Sequence, residues 1–421
     1  MTVAGEPTRA RPRDRKRRIE EAAALAFAEH GYHAVGMQDI ATAVGISAPA
    51  LYRHFPNKYA LFVQTAFAPA HRLIEATDEA HATAVDSVSD ARAVLDALLD
   101  AVIDVTIELR ATGGIYRWEG RYLSRPDRER LTGEFRELRE RFERPHRVYR
   151  PEVPADERGQ AVLAALSAIA SVTAHHTVVA ARTLRVLLKD AAWRALDDPA
   201  GPGVDRSGGA VPVLDVGGAG ESADPVEAVE AAEAVEAARE PGRRGQLIDS
   251  AIRLFAARGY NEVTIEDLAE EVGLTPSGVY RHFEGKSGLL LAACERAAVA
   301  LDRAALRARE SSASADEALR RLCAGYVTHT FANLALMRIY FSELGNLPPD
   351  DRRRLRSLQR AHIADWVALL QSVRPELGGR EATVLVHAAL NVVADQAPLL
   401  PERDAVAAAR LTHFAELVLM L

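Results

Sequence analysis

Two stretches of this chain decide its fold, because they are closely similar copies of each other. Residues 27–58 read FAEHGYHAVGMQDIATAVGISAPALYRHFPNK, and residues 255–286 read FAARGYNEVTIEDLAEEVGLTPSGVYRHFEGK. A gapless alignment of residues 16–62 with residues 244–290 gives 16 identities in 47 positions, at a constant offset of 228. The identities include Lys58 and Lys286, two of only four lysines in the chain. The sequence therefore predicts one unit of about 190 residues, present twice.

Glycines and capping residues divide each copy into three short helices. In the first copy the predicted helices cover residues 14–29, 37–43 and 48–54, with Gly31 ending the first and Gly45 forming the turn after the second. The second copy repeats this pattern. Two short helices joined by a glycine turn form a helix-turn-helix. Apolar residues recur at three- and four-residue spacing through nearly all of the remaining chain, which predicts an all-α protein.

The third helix of each copy carries residue types that suit DNA. Its apolar residues, such as Leu51 and Phe55, are predicted to face inward, which leaves small and hydrogen-bonding residues outside. Small residues let a helix end approach a base edge or a phosphate, and Tyr, Arg, His and Lys donate to phosphate oxygens. The predicted DNA-contacting residues are Ser47, Ala48, Pro49, Ala50, Tyr52, Arg53, His54 and Lys58 in the first copy, and Thr264, Thr275, Pro276, Ser277, Gly278, Tyr280, Arg281, His282 and Lys286 in the second.

These motifs carry a resemblance to a known family. The run Phe27…Gly31-Tyr32…Ile40-Ala41…Val44-Gly45…Leu51-Tyr52-Arg53-His54-Phe55…Lys58 closely resembles the DNA-binding domain of the TetR family of transcriptional regulators, and so does its counterpart from Phe255 to Lys286. The resemblance implies that the other helices of each copy form a ligand-binding and dimerisation domain. Most family members carry one copy and form homodimers. This chain carries two copies and resembles the tandem TetR-type regulators of actinobacteria, some of which control lipid- or sterol-uptake operons.

The resemblance and the composition together suggest a division of the chain. The predicted segments are a basic arm (1–13), a first helix-turn-helix domain (14–60), a first helical ligand-binding domain (61–196), an acidic flexible linker (197–242), a second helix-turn-helix domain (243–288) and a second helical ligand-binding domain (289–421). The Ala-rich helices after Asp156 and after Gly379 are predicted to pack against each other. That contact would make one chain an intrachain pseudo-dimer, which we expect to be a monomer.

Charge separates the two helix-turn-helix domains. The whole chain has a formal net charge of −7, but residues 1–62 hold 9 basic and 6 acidic residues, whereas residues 242–290 hold 6 basic and 7 acidic residues. The first domain is therefore expected to bind DNA more strongly. The resemblance implies a repressor that is released by a small apolar effector such as a lipid or sterol, and the differing third helices predict an asymmetric operator of two half-sites. The alternative is that only the first domain reads DNA and the second copy is a scaffold.

A cluster rich in aromatic residues, at matching positions of the two copies, is a candidate ligand pocket. An ordinary hydrophobic core is the alternative interpretation, and salt bridges are the alternative for its two glutamates. The cluster consists of Tyr116, Trp118, Glu119 and Tyr122 in the first copy, and Tyr340, Phe341 and Glu343 in the second.

Other function classes find little support in the sequence. Two cysteines, Cys294 and Cys323, are too few for a disulfide framework or a Cys-rich zinc site. No nucleophile elbow, phosphate loop or metal-ligand cluster is evident, so we expect no cofactor, no metal and no enzymatic activity. An enzyme with an α-helical pocket remains the rival. The uncharged stretch 161–181 is rich in Ala, Ser, Thr and His, which favours a buried helix over a membrane span. We expect a cytoplasmic protein with double-stranded DNA as its partner.

Overall fold

The computed structural model describes residues 12–112, 114, 120–198 and 242–421. Over these residues the chain forms 17 α-helices, four short 3₁₀-helices and no strand, so the all-α prediction is confirmed. Residues 1–11 of the predicted basic arm and residues 199–241 of the predicted linker lie outside the described residues.

The helices fall into two units with the same order. The first unit contains α1 (Pro12–His30), α2 (Met37–Val44), α3 (Ala48–Tyr52), α4 (Lys58–Ala82), α5 (Val88–Glu108), α6 (Arg125–Tyr149), α7 (Ala155–Ala170) and α8 (Ala181–Asp197). The second contains α9 (Arg243–Arg258), α10 (Ile265–Glu271), α11 (Pro276–Tyr280), α12 (Lys286–Glu310), α13 (Ala315–Ala332), α14 (Leu334–Ser342), α15 (Pro349–Val373), α16 (Gly379–Gln396) and α17 (Ala405–Leu419). The offset of 228 in the helix-turn-helix domains becomes 224 from α6 and α15 onward.

The turns follow from the glycines. Gly45 follows α2 with φ 73°, and Gly273 follows α10 with φ 65°. This left-handed conformation turns the chain toward the third helix of each domain. The third helix is shorter than predicted, because the chain already turns after Tyr52, through Arg53 and His54. It then reaches Asn57, whose Oδ1 accepts a hydrogen bond from the Ala60 N–H at 2.8 Å and caps α4.

Four helices join the two units. Helices α7 and α8 pack against α16 and α17, and one continuous apolar core runs through the helices of both units. At the contact, Asn391 Nδ2 donates to the Ser167 carbonyl at 2.7 Å, and Arg410 donates to Gln160 Oε1 at 3.0 Å. Burial of this apolar surface is the main driving force for such an association. The prediction of an intrachain pseudo-dimer is therefore confirmed at the level of the fold.

Each helix-turn-helix domain keeps a hydrophobic core of its own. The core of the first includes Phe27, Leu51 and Phe62, and that of the second includes Phe255 and Val279. In the part of the chain that the structure describes, no helix combines the length and the hydropathy that a bilayer crossing requires. The uncharged stretch 161–181 is helical in α7 up to Ala170 and in a 3₁₀-helix at Ser171–Thr173, and it continues without helix to the start of α8.

Candidate nucleic-acid interface and effector cleft

The first helix-turn-helix domain presents its predicted DNA-contacting residues on one surface. Leu51 and Phe55 are buried, as the sequence predicts, and they fix α3 against the domain core. Ser47, Pro49, Tyr52 and Arg53 are exposed, whereas Ala48, Ala50, His54 and Lys58 are half-buried. Tyr52 has 51% of its surface exposed, which is a large fraction for a residue type that is usually at least partly buried. The surface can therefore be reached by a DNA backbone.

The second domain shows the same arrangement. Thr264, Thr275, Pro276, Ser277, Tyr280, Arg281 and His282 are exposed, and Gly278 and Lys286 are half-buried. Thr275 Oγ1 accepts a hydrogen bond from the Gly278 N–H at 3.3 Å and so caps α11, whereas the Ser47 side chain makes no such bond at α3. At the start of α10, Thr264 and Asp267 form a capping box. Hydrogen bonds from Thr264 and Arg258 lower the pKa of Asp267 to about 2.

Lys58 and Lys286 each donate to two backbone carbonyls, a role that the sequence did not predict. Lys58 Nζ donates to the carbonyls of Tyr32 and Val35, at 2.8 Å and 2.9 Å, and lies 4.4 Å from the centre of the Tyr32 ring. Lys286 Nζ does the same with the carbonyls of Tyr260 and Val263, at 2.9 Å and 2.6 Å. We call each set of contacts the lysine latch. It holds the connection between the first two helices of the domain against the start of the fourth.

The latch changes what the lysines can offer to DNA. An ammonium group has three N–H donors, and the latch uses two of them. Burial lowers the pKa of both Lys58 and Lys286. A phosphate contact by the remaining donor stays a prediction, whereas the role in holding the domain together follows directly from the distances. The only sequence signal was that two of the four lysines occur at one repeat position.

Exposed charge differs sharply between the two domains. Five exposed glutamates of the second domain occupy positions where the first has Ala34, Gln38, Thr42, Ala43 and Pro56; they are Glu262, Glu266, Glu270, Glu271 and Glu284. The three on α10 precede the turn that leads to the third helix. At the start of α1 the first domain also has Arg17 and Arg18, exposed, where the second has Gly245 and Gln246. The first domain is thus the better match for a polyanion.

The described members of the predicted ligand pocket each make contacts of their own. Tyr116, Trp118 and Glu119 lie outside the described residues, as does the side chain of Phe341. Tyr122 packs against Tyr32 and His33 of the first helix-turn-helix domain, with ring centres 5.5 Å and 4.4 Å apart. Glu343 is fully buried, and its carboxylate accepts hydrogen bonds from the Tyr260 N–H at 3.1 Å and the Asn346 amide at 2.7 Å. Glu343 therefore links α14 to the second helix-turn-helix domain instead of lining a pocket.

Tyr340 is the described member of that cluster that lines a cavity. It borders an open cleft of about 2050 Å³ between the units, to which the second unit contributes most of the lining residues. His175 and His387 stack at 4.3 Å where the units meet, and burial lowers their pKa values to about 2 and about 4. Arg110 donates to the carbonyls of Val172 and Thr177 beside this stack. The cleft thus reaches the contact between the units.

The cysteines are buried in the second unit. Burial raises the pKa of Cys294 to about 12 and that of Cys323 well above its usual value. A thiol that stays protonated is a poor nucleophile and a poor metal ligand. Among the described residues, no group of three His, Cys, Asp or Glu side chains is placed to hold a metal ion.

Comparison with known proteins accounts for the two helix-turn-helix domains. The family model for bacterial regulatory proteins of the tetR family matches residues 19–65 and 247–293. Each helix-turn-helix domain therefore matches the DNA-binding domain of the TetR family. Because the two matches coincide with the two domains described above, the chain carries that domain twice.

The similar proteins match this chain over short stretches. The HTH-type transcriptional activator FasR of Mycolicibacterium smegmatis is 36% identical over 87 residues, which cover 20% of this chain and 40% of FasR. The HTH-type transcriptional regulator BetI of Brucella anthropi is 45% identical over 53 residues, covering 13% of this chain and 27% of BetI. The chain thus spans less than half the length of these relatives. The solved structure of the regulator PfmR from Thermus thermophilus is 24% identical, with a TM-score of 0.37, covering 41% of this chain and 97% of that chain.

Proposed function

We propose that this chain is a transcriptional regulator of TetR type whose first helix-turn-helix domain provides most of its affinity for DNA. The observation that carries this proposal is the charge difference between two domains of the same fold. Protein–DNA affinity depends strongly on phosphate neutralisation and counterion release, so the sign of the exposed charge matters more than small differences in shape. The first domain offers exposed Arg17, Arg18 and Arg53, whereas the second has the exposed Arg281 together with five exposed glutamates.

The relatives support regulation and leave its direction to experiment. FasR is named a transcriptional activator and BetI a transcriptional regulator. The sequence analysis predicts repression, with release from DNA when a small apolar effector binds. An effector changes DNA affinity only if it binds one conformation better than the other. The cleft of about 2050 Å³ supplies room for such a ligand. A regulator of this kind works where the chromosome is, which agrees with the expected cytoplasmic location.

A second candidate is that both domains read one asymmetric operator. The observation in its favour is that the second domain keeps the capped third helix, the exposed Tyr280 and the lysine latch of Lys286. The residues at the start of the third helices differ, Ala48-Pro49-Ala50 against Pro276-Ser277-Gly278, so two readers would prefer different half-sites.

Matched substitutions separate the two candidates. We would measure binding to a DNA fragment from the region upstream of the gene by fluorescence anisotropy, at two salt concentrations. The variants are Tyr52→Ala with Arg53→Ala in the first domain, and Tyr280→Ala with Arg281→Ala in the second. A large loss for the first pair and a small loss for the second supports one dominant reader. Equal losses support two readers, and no loss from either pair contradicts DNA binding by these surfaces.

A further inference from the structure

A buried histidine in the second unit has a ring nitrogen without a hydrogen-bond partner among the described residues. His362 lies on α15, lines the cleft and is only 7% exposed. Its Nε2 lies 3.1 Å from the Trp366 indole Nε1, which can only donate. His362 Nε2 must therefore be the acceptor, and in the neutral ring the proton sits on Nδ1. That Nδ1–H is a buried donor without a hydrogen-bond partner among the described residues.

A carboxylate lies near this donor but too far away to satisfy it. His362 Nδ1 lies 4.0 Å from Oδ1 of Asp302, which projects from α12 into the same cleft. A hydrogen bond needs a separation of about 2.7–3.2 Å, so the two groups do not bond directly. One oxygen atom placed at about 2.8 Å from each would complete both contacts. Buried donors in native proteins are nearly always satisfied by protein or by ordered water, so the gap has room for one bridging oxygen, from a water molecule or from a ligand that displaces it.

Apolar side chains form part of the cleft wall on the helices beside this pair. Leu301, Met337, Ile363 and Val367 line the cleft from the helices that carry Asp302 and His362 or from α14 beside them. A ligand that reaches the pair therefore has an apolar body and one polar atom at its end.

The first unit has no equivalent pair. At the same repeat positions it has Ile74 in place of Asp302 and Leu138 in place of His362, with Phe142 in place of Trp366. Leu138 and Phe142 are buried in the continuous core. The pair of Asp302 and His362 thus occurs in the second copy and has no counterpart at the matching positions of the first. The second copy also carries the less basic helix-turn-helix domain.

The charges at the pair select the kind of polar group. A carboxylate would accept from His362 but would meet the carboxylate of Asp302 and, behind it, that of Asp365, which interacts with both. An ammonium group would pair with Asp302 but would direct its N–H groups at the donor of His362. A hydroxyl group satisfies both sides, because its oxygen accepts from Nδ1–H and its hydrogen goes to Oδ1.

We propose that the second unit holds the effector site, and that its ligand is an apolar molecule with a neutral hydroxyl group that bridges His362 and Asp302. Ligand binding at this site does not depend on DNA binding. Only the statement that the ligand is an effector, which changes DNA affinity, rests on the proposed function. In this division of labour the first unit reads DNA and the second unit reads the ligand.

The test compares three probes with one chain length and different end groups. Binding of 1-decanol, decanoate and decylamine to the full chain at pH 7.5 is measured by titration calorimetry. We expect decanol to bind with one site per chain, and the two charged probes to bind about tenfold more weakly. Equal or tighter binding of decanoate or decylamine overturns the choice of a hydroxyl group, and no binding of decanol overturns the site.

Substitutions locate the site. Asp302→Leu is expected to weaken decanol binding about tenfold, and Glu310→Leu, at the exposed end of the same helix, is the control that leaves it unchanged. His362→Asn tests the other side of the bridge, with circular dichroism to check folding. Nitrogen-15 spectra of the histidines are recorded on the wild-type protein, so this measurement does not depend on a variant that folds. If the proposal holds, the His362 Nδ1 signal shifts when decanol is added. An unshifted signal, or unchanged affinity in Asp302→Leu, overturns it.

DNA binding is measured separately on the same samples. Decanol that binds without changing DNA affinity leaves the site in place and contradicts the effector role. Decanol that fails to bind, in a protein that still binds DNA through its first domain, contradicts the site and leaves the DNA-binding proposal in place.

Discussion

The lysine latch gives the sharpest prediction, because two readings of Lys58 differ in their outcome. Replacing Lys58 with Met keeps the length of the side chain and removes its donors. Two charge-assisted hydrogen bonds at 2.8 Å and 2.9 Å are lost, together with the contact to the Tyr32 ring. Allowing for the partial exposure of the ammonium group and for water that can reach the freed carbonyls, we expect a loss of about 3 kcal/mol. For a unit of this size that corresponds to a fall in melting temperature of roughly 6–12 °C.

The assay is thermal unfolding followed by circular dichroism, with two comparison variants. Lys286→Met removes the equivalent latch, at 2.9 Å and 2.6 Å, and is expected to lower the melting temperature to a similar degree. Lys189→Met removes a lysine that pairs with Asp96 and Asp100 at the surface and is expected to cost about 1 kcal/mol or less. Each variant is also measured for DNA affinity as a function of salt.

The alternative reading is that Lys58 serves mainly to bind a phosphate. In that case Lys58→Met would leave the melting temperature unchanged and would reduce the salt dependence of DNA binding by about one phosphate contact. That result would refute the latch. On our account Lys286→Met lowers stability and changes DNA affinity little, because the second domain contributes little to binding.

Three further predictions concern charge, pH and the contact between the units. Replacing the three α10 glutamates with the α2 residues at the same repeat positions should tighten DNA binding roughly threefold to tenfold at low salt, and the reverse exchange in α2 should weaken it; equal affinities would contradict the charge argument. Burial lowers the pKa values of His175, His329, His362 and His387 from 6.5 to between about 2 and 4, so their contribution to stability is complete above pH 6.5 and is lost as the pH falls toward 4. Urea unfolding should show a loss on the order of 1–2 kcal/mol per histidine between pH 7.5 and pH 5, and equal stability at both values would show that these histidines titrate normally. Asn391→Leu removes the donor that reaches the Ser167 carbonyl from α16 and leaves that carbonyl its bond from the Ser171 N–H, so it should lower the free energy of unfolding by about 1 kcal/mol. An unchanged urea midpoint would mean that this bond is not needed at the contact.

Local patterns in the sequence were sufficient for the helix-turn-helix helices and for the all-α class, whereas the resemblance supplied the helical domains that follow them. Gly45 and Gly273 punctuate the helix-turn-helix domains because a left-handed residue is needed there, and that need can be read from the sequence. The end of the third helix was placed two residues too late, because the turn through Arg53 and His54 depends on the cap at Asn57 and not on helix propensity. The contact between the units followed from the repeat itself and from its Ala-rich final helices.

The lysine latches and the pair of Asp302 and His362 depend on contacts between residues that are distant in the sequence. The sequence alone did not reveal these contacts. The Lys58 latch joins residues 23 and 26 positions apart, and Asp302 meets His362 from another helix. Glu343 was assigned to a pocket because aromatic residues surround it in sequence, yet it binds the Tyr260 N–H. The five glutamates of the second domain were visible in the alignment of the two copies. Their importance became clear only when the structure placed all five at the surface.

The central claim is that one chain forms the pseudo-dimer and that its first domain provides the grip on DNA. The most direct test determines the mass of the full chain by light scattering, alone and on DNA, and footprints it on its own upstream region. The account predicts one chain of 45.7 kDa per DNA site and an asymmetric footprint. As the salt concentration rises, protection of the half-site at the second domain is lost before protection of the half-site at the first. Two chains on a palindrome, or a footprint equally salt-sensitive on both sides, would contradict it.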